Sequence, residues 1–175
     1  MTDAVGPVAV SLDYRFEQPF RVSARDAFRW CTDFGPSDGA IFSKKTRRSV
    51  RWLGPDTAIM TDTTYPDGAP VRIRRLVRID AARRAWTNTH LDGPFRFSQY
   101  WYRIEPRGAR ASSMEFVGHR VIWRRSRPGP AVVRRLSEAE RDHDSSEWRN
   151  YLAPALERDL SRTRNPGRAR SKATR

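Results

Sequence analysis

The sequence predicts an α+β fold in which an antiparallel β-sheet packs against a long C-terminal helix. Between Thr46 and Trp123 the chain reads as short strand-like segments parted by turn residues, and short connections are typical of antiparallel neighbours. Residues 8–17 alternate apolar and polar side chains, which indicates a strand with one buried face. Beyond Ser137 the apolar residues recur at helical spacing. A helix with one apolar face needs a concave sheet to cover it.

The C-terminal helix is predicted over residues 137–162. Ser137 and Glu140 form a capping-box pattern, which predicts that the helix begins at Ser137. The expected apolar stripe consists of Trp148, Tyr151, Leu152, Ala155, Leu156 and Leu160. Pro154 lies within this stripe, where it removes one hydrogen bond and clashes with the preceding turn. We therefore expect a bend in the helix rather than its end.

One strand and one short helix precede the remaining strands. Ser23 is expected to cap this helix, with Asp26 at the third position and Phe28 and Trp30 on the apolar face. A second short turn of helix is expected before Lys44. Six further strands are predicted around Val50 and Trp52 and over residues 57–65, 71–80, 84–91, 95–105 and 111–123.

Length and composition suit one domain over residues 1–162, followed by a disordered basic tail over residues 163–175. Cys31 is the only cysteine, which excludes an intrachain disulfide and fits a reducing cytosol. Its apolar neighbours favour an inert core thiol. No N-terminal targeting pattern and no run of roughly 20 apolar residues is present, so we expect a cytoplasmic protein without a membrane span. We expect either a monomer or a homodimer.

The chain resembles the START-like superfamily at three places: the helix opening Val22-Ser23-Ala24-Arg25-Asp26-Ala27-Phe28, the strand end Tyr102-Arg103-Ile104-Glu105-Pro106 with Gly108 after it, and the terminal helix with Trp148 and Leu156. This group is also called the helix-grip fold or SRPBCC. It includes polyketide cyclases/dehydrases, lipid-transfer domains and relatives of the birch pollen allergen. The resemblance covers about residues 8–162. It implies a seven-stranded antiparallel sheet that curls around the last helix and leaves a cavity for an apolar ligand.

Arg75 decides the character of one wall of this implied cavity. Strict alternation places it on the same face as Ile73 and Val77. A buried arginine needs an acidic partner or an anionic ligand, because an unpaired buried charge is costly. The alternative is a β-bulge that turns Arg75 outward and Leu76 inward, and we favour this bulge.

The next two strands supply further candidate ligand-binding residues. Trp86, Asn88 and His90 share a face, which combines an aromatic wall with two polar groups that can orient a ligand. Tyr100 and Tyr102 share a face on the following strand, and core packing explains them equally well. With the residues of the last strand and the helix, the candidate set is Arg75, Trp86, Asn88, His90, Tyr100, Tyr102, Met114, Phe116, Trp148 and Tyr151.

The last strand can face the cavity in two ways. One parity points Met114 and Phe116 inward, and the other points Glu115 and His119 inward, where they would join His90 in an acid–base group. We favour the first parity because Met114 and Phe116 are the larger apolar side chains. His90, Glu115 and His119 are therefore retained only as candidate catalytic residues.

No metal site or cofactor is predicted. Adjacent positions on a helix fan apart, so Asp142, His143 and Asp144 are not expected to ligate one metal together and are interpreted as a solvated face. The sequence contains no nucleotide-binding glycine loop, no paired cysteines and no serine elbow motif.

Basic residues flank the C-terminal helix and account for much of the net charge of +14. Residues 124–136 contain five arginines and no acid, and Arg124, Arg125 and Arg127 are candidates for binding an anion. Carboxylates of the helix, such as Asp142 and Asp144, are the alternative partners of these arginines. The tail can bind nucleic acid without base specificity, or act only as a solubilising end.

Two functions follow from these patterns. The first is binding of a hydrophobic or amphipathic small molecule, such as a lipid, an isoprenoid or an aromatic polyketide, by a carrier, a sensor or a polyketide cyclase/dehydrase-like enzyme. The second is an interaction protein whose arginine-rich surface and tail dock RNA, a ribosome or an acidic partner.

Overall fold

The computed structural model describes residues 6–35, 38, 41, 46–65 and 69–164. In chain order its elements are β1 (Val8–Phe20), α1 (Ala24–Thr32), β2 (Arg47–Trp52), β3 (Thr57–Thr64), β4 (Val71–Asp80), β5 (Ala85–His90), β6 (Gln99–Gly108), β7 (Ala111–Arg124), α2 (Pro130–Glu147), a π-helical segment (Trp148–Leu152) and α3 (Ala153–Arg164). The strands form one antiparallel sheet in the order β1-β7-β6-β5-β4-β3-β2. The predicted seven-stranded sheet and long C-terminal helix are confirmed. The short helix expected before Lys44 and residues 165–175 of the tail lie outside the described residues.

Strand β1 and helix α1 form as their sequence patterns predict. Burial alternates along β1, and Leu12 is fully buried while its neighbours face solvent. The Ser23 hydroxyl accepts a hydrogen bond of 3.2 Å from the backbone N–H of Asp26, which satisfies one of the free amides at the start of α1. None of the described helices is both long and apolar enough to cross a membrane.

The C-terminal helix begins at Pro130, so the predicted start at Ser137 is wrong. Gly129 occupies the N-cap position and Pro130 the first helical position. Proline fits there because its backbone angle already suits a helix and its missing N–H would have no partner within the helix. Ser137 therefore lies inside α2, seven residues after its start.

The helix continues through Pro154 after a change in winding. Trp148–Leu152 form a π-helical turn, and the N–H of Ala153 donates to the carbonyl of Trp148, five residues earlier. This wider turn breaks the α-helical stripe, because residues three apart no longer share a face. Tyr151 is consequently 57% exposed, whereas Leu156 is fully buried. The predicted stripe is wrong at Tyr151.

Strand β4 is regular, and the predicted bulge at Arg75 is wrong. Its pairing with β3 and β5 runs without a register shift, so alternation continues along the whole strand. Arg75 therefore points to the inner face together with Ile73 and Val77. The bulge is unnecessary because Asp62, on the inner face of β3, forms an ion pair with Arg75.

Candidate ligand-binding cavity

The inner face of the sheet and the C-terminal helix enclose a cavity of about 370 Å³. The volume lies within the range of small-molecule sites. Trp86, Tyr102 and Phe116 line it from the sheet, and Trp148 and Leu152 line it from the π-helical segment. The chain thus builds an aromatic site where its two layers meet.

The aromatic rings of the cavity pack against one another. Trp86 and Tyr102 are paired across β5 and β6, with ring centroids 4.6 Å apart and planes 2° from parallel. Tyr102 meets Phe116 edge to face at 5.0 Å and Trp148 at 6.2 Å. Such ring pairs stabilise the wall beyond the burial of their surface.

Two arginines share one carboxylate at the β2–β4 side of the cavity. Arg48 binds both oxygens of Asp62, at 2.8 Å through Nε and 3.0 Å through Nη2, and Arg75 also forms an ion pair with Asp62. A second carboxylate, Asp38, lies 3.7 Å from Arg48. Burial, followed by repulsion from Arg48, lowers the pKa of Arg75 to about 10. Burial, followed by the charge of Asp33, raises the pKa of Asp38 to about 6.

Three buried polar atoms of the cavity residues have no hydrogen-bond partner in the part of the chain that the structure describes. They are Arg75 Nε, Asn88 Oδ1 and His90 Nδ1. Asn88 and His90 are only 7% and 8% exposed, so bulk water does not readily replace the missing partners. Burial, with the positive charges of Arg75 and Arg120, lowers the pKa of His90 to about 3 and keeps the imidazole neutral at physiological pH.

A second polar group joins the sheet to the C-terminal helix, and we call it the Arg120 clasp. Arg120 donates to the hydroxyl of Tyr100 at 3.0 Å, to Asp144 Oδ1 at 3.2 Å and to Glu140. Tyr14 donates to the other oxygen of Asp144 at 2.5 Å. Although burial opposes the charge, the pKa of Arg120 lies above its usual value because Tyr100, Asp144 and Tyr14 surround the guanidinium. The clasp therefore connects β1, β6 and β7 with α2.

Gly118 makes room for the Tyr14 side of the clasp. Tyr14 pairs with Gly118 across β1 and β7, and a Cβ added at Gly118 would lie 2.6 Å from the Tyr14 ring. No side chain fits in this space. The ring crosses Gly118 and extends to the carboxylate of Asp144.

Most of the predicted ligand-binding residues line the cavity, but two do not. Met114 is fully buried and does not line it, and Tyr151 is exposed. The residues that line it are Arg75, Trp86, Asn88, His90, Tyr100, Tyr102, Phe116 and Trp148.

The last strand adopts the first of the two predicted parities, with Phe116 inward. Glu115 and His119 lie on the outer face, where Glu115 accepts from Arg103 at 2.9 Å and His119 bonds Asp13 at 2.6 Å. Of the three candidate catalytic residues, only His90 faces the cavity.

Asp144 does not belong to a solvated face, so that interpretation is wrong for this residue. Asp142 and His143 are exposed, whereas Asp144 is 9% exposed and belongs to the Arg120 clasp. Among the described residues, His143, Asp144 and Glu147 are the one group that brings three metal-ligand atoms within 4.8 Å of one another. Both oxygens of Asp144 already accept hydrogen bonds from Tyr14 and Arg120.

Arg124, the last residue of β7, is exposed, as are Arg125 and Arg127 in the link between β7 and α2. Within the described part of the chain, no ion pair involves any of the three. Asp144 pairs with Arg120 and Asp142 pairs with Arg141, so neither helix carboxylate neutralises these link arginines.

The sequence analysis missed six charged residues that line the cavity: Asp38, Arg48, Asp62, Arg120, Asp144 and Glu147. The alternation of strand side chains predicts the inward direction of two of them. Asp62 lies two residues after inward-facing Met60, and Arg120 lies four residues after inward-facing Phe116. Arg48 and Asp144 carry no comparable signal, because their burial depends on the partners that the fold brings to them.

Similarity to known proteins rests on structure alone. No protein-family model matches the chain, and no curated protein does. The Zhui aromatase/cyclase from Streptomyces sp. R1128 superposes with a TM-score of 0.63 at 16% identity, covering 90% of this chain and 99% of that one. Norcoclaurine synthase from Thalictrum flavum, solved with dopamine and hydroxybenzaldehyde, gives 0.60 at 12% identity, covering 91% and 90%. Ara h 8.0201 gives 0.59 at 13% identity, covering 87% and 99%.

The sheet topology, the C-terminal helix across it and these superpositions define a helix-grip protein. The chain has the fold of the START-like (SRPBCC) superfamily, which confirms the resemblance seen in the sequence. At such low identities the superpositions show the fold and leave function to the residues of the cavity.

Proposed function

We propose that this protein binds an amphipathic small molecule with a flat ring system in the cavity between the sheet and the C-terminal helix. The observation that carries the proposal is the aromatic wall of Trp86 and Tyr102 facing Trp148, beside buried polar atoms without partners. Stacking favours a planar ring, and the polar atoms favour a ligand that also carries oxygen or nitrogen. The proteins of the same fold that are named for aromatic chemistry support this choice.

The function is proposed as that of a carrier or sensor. Holding a ring against Trp86 needs only the wall, whereas a reaction would need an acid–base group. His90 alone among the candidate catalytic residues faces the cavity, and its lowered pKa makes it a weak proton acceptor at physiological pH.

Native mass spectrometry of the purified protein tests for a bound small molecule. Binding of N-phenyl-1-naphthylamine, a neutral fluorescent aromatic compound, then tests the wall. Trp86→Leu is expected to weaken this binding about tenfold, because it removes the stacking face. Trp101→Leu, on the outer face of β6, is the matched control and should leave the affinity unchanged. A folded Trp86→Leu variant with wild-type affinity, or no binding by the wild type, would refute the proposal.

A further inference from the structure

The three unpartnered atoms of the cavity define which groups its ligand carries. This inference rests on the proposed function, since it concerns the same cavity. Arg75 Nε–H can only donate a hydrogen bond and Asn88 Oδ1 can only accept one, while neutral His90 Nδ1 does either according to its tautomer. A matching ligand therefore needs an acceptor at Arg75 and a donor at Asn88. A hydroxyl suits His90 in either tautomer, because it both donates and accepts.

Pairing within the sheet places two of these atoms side by side. Arg75 and His90 lie directly opposite each other on β4 and β5. The Cβ atoms of such pairs are about 5 Å apart, so neighbouring substituents on one ring can reach both side chains. Asn88 is two residues from His90 on the same face, beside Trp86. Trp86 lies four residues from His90 on this face, so a ligand that contacts Arg75 and His90 reaches the aromatic wall by extending along β5 past Asn88.

The local charge favours an anionic acceptor at Arg75. Asp62 is the carboxylate that both Arg48 and Arg75 contact, and Arg48 alone already bonds both of its oxygens. Arg48 also has Asp38 at 3.7 Å, whereas Asp62 is the one carboxylate paired with Arg75 among the described residues, so Arg75 shares its counter-charge with Arg48. An anionic oxygen at Arg75 Nε would supply the missing hydrogen bond, and a charged acceptor makes a stronger bond to the guanidinium than a neutral one.

We propose that the ligand is an aromatic carboxylate with a hydroxyl group on the adjacent ring carbon. Its carboxylate accepts from Arg75 Nε, its hydroxyl bonds His90 Nδ1 and its ring stacks on the wall of Trp86 and Tyr102. A second hydroxyl or an amino group on the ring donates to Asn88 Oδ1. The adjacent arrangement follows from the direct pairing of Arg75 with His90, because their two contacts must lie side by side on the ligand.

Three naphthalene probes that differ by one group each test this assignment in the intact protein. Titration calorimetry compares 3-hydroxy-2-naphthoate with 2-naphthoate, which lacks the hydroxyl, and with 2-naphthol, which lacks the carboxylate. We expect 3-hydroxy-2-naphthoate to bind at least about tenfold more tightly than either, because each removal leaves a buried polar atom unpaired. Equal affinities for all three probes would overturn the assignment.

Two variants identify the contacts. Arg75→Lys keeps the positive charge beside Asp62 but has no Nε–H. In this variant 3-hydroxy-2-naphthoate should bind only about threefold more tightly than 2-naphthol, or less, so its affinity advantage over 2-naphthol shrinks. Arg74→Lys, on the outer face of the same strand, should keep the advantage in full. His90→Phe should abolish the advantage over 2-naphthoate. Retention of both advantages in the folded variants would overturn the assignment.

N-phenyl-1-naphthylamine separates this inference from the proposed function. It carries neither a carboxylate nor a hydroxyl, so its binding reports the aromatic wall without the carboxylate contact assigned to Arg75 and the hydroxyl contact assigned to His90. If it binds while the naphthalene probes show no preference, the assignment of ligand groups fails and the cavity remains a binding site. If neither it nor any naphthalene probe binds, both proposals fail.

Discussion

Arg75 and Arg120 are both partly buried arginines on the inner face of the sheet, yet their surroundings differ. Arg120 contacts two carboxylates and a tyrosine hydroxyl, and it lies 4.8 Å above the ring of Phe95. Arg75 shares the single carboxylate of Asp62 with Arg48, and its Nε has no partner among the described residues. Their pKa values move in opposite directions, below the usual value for Arg75 and above it for Arg120.

This difference separates a structural arginine from a candidate binding arginine. A fully paired buried charge holds elements together, and removal of one partner leaves the others uncompensated. An incompletely paired charge adds less to stability and retains capacity for a ligand. Burial alone would assign both arginines to the same class, so the number of partners is the informative observation.

The largest expected effect is that of Arg120→Met on stability. This substitution leaves Asp144 and Glu140 without their cation, and we expect the free energy of unfolding to fall by about 3–5 kcal/mol. Urea denaturation monitored by circular dichroism measures it. Arg141→Met, on the helix that carries Glu140 and Asp144, removes an arginine whose ion pair is with exposed Asp142, and it should change stability by no more than about 0.5 kcal/mol. Equal losses for the two variants would contradict a structural role for the clasp.

His90, which is buried near Arg75 and Arg120, makes the stability of the folded protein depend on pH in the acid range. Its pKa is about 3 in the folded protein and 6.5 in the reference state, so between these values the unfolded chain binds a proton that the folded protein does not. The free energy of unfolding therefore falls as pH decreases from 6.5 to 3, by roughly 2–4 kcal/mol from this residue.

His90→Phe should remove this part of the acid sensitivity. Urea denaturation at a series of pH values measures the slope for the wild type and the variant. His119→Gln, which removes an imidazole on the outer face, is the control and should keep the wild-type slope. An unchanged slope in His90→Phe would show that His90 is not held neutral by its burial beside Arg75.

Arg75→Met is expected to have a much smaller effect on stability than Arg120→Met. Asp62 keeps both hydrogen bonds from Arg48, and the apolar side chain avoids the cost of an incompletely paired charge. We expect a change of about 1 kcal/mol or less in the free energy of unfolding, measured by the same urea titration. If Arg75→Met lowered the free energy of unfolding as much as Arg120→Met does, both arginines would have the same structural role, and the proposed difference between them would be wrong.

Arg124, Arg125 and Arg127 differ from both Arg75 and Arg120, because they are exposed and have no ion pair among the described residues. We propose that they form an anion-binding surface. Replacing Arg124, Arg125 and Arg127 together by glutamine should change stability by no more than about 0.5 kcal/mol. It should lower the salt concentration at which the protein elutes from a heparin column. Arg25→Gln, a single exposed replacement on α1, serves as the control. Unchanged elution of the triple variant would rule out the link as a site for polyanions.

Local patterns predicted most of the elements. The alternation in β1, the Ser23 cap and the bounds of β4 agree with the structure because neighbouring residues determine them. The start of the last helix was wrong because a capping pattern at Ser137 was preferred to the proline at Pro130. Strand β6 begins at Gln99 instead of Phe95, and the positive φ of 72° at Phe97 explains the later start, since that backbone conformation interrupts a strand.

Residue order by itself determined the fold class, and the two-residue repeat of a strand determined the inward positions of Trp86, Asn88 and His90. For β7 the repeat left two orientations open, and the larger apolar side chains of Met114 and Phe116 decided between them. Tertiary structure decided the charges of the cavity. Asp62 comes to Arg75 from the neighbouring strand, and Asp144 comes to Arg120 from a helix that follows in the chain. Whether a buried charge is fully paired depends on groups distant in sequence, because a side chain's electrostatic energy is set by its neighbours in space.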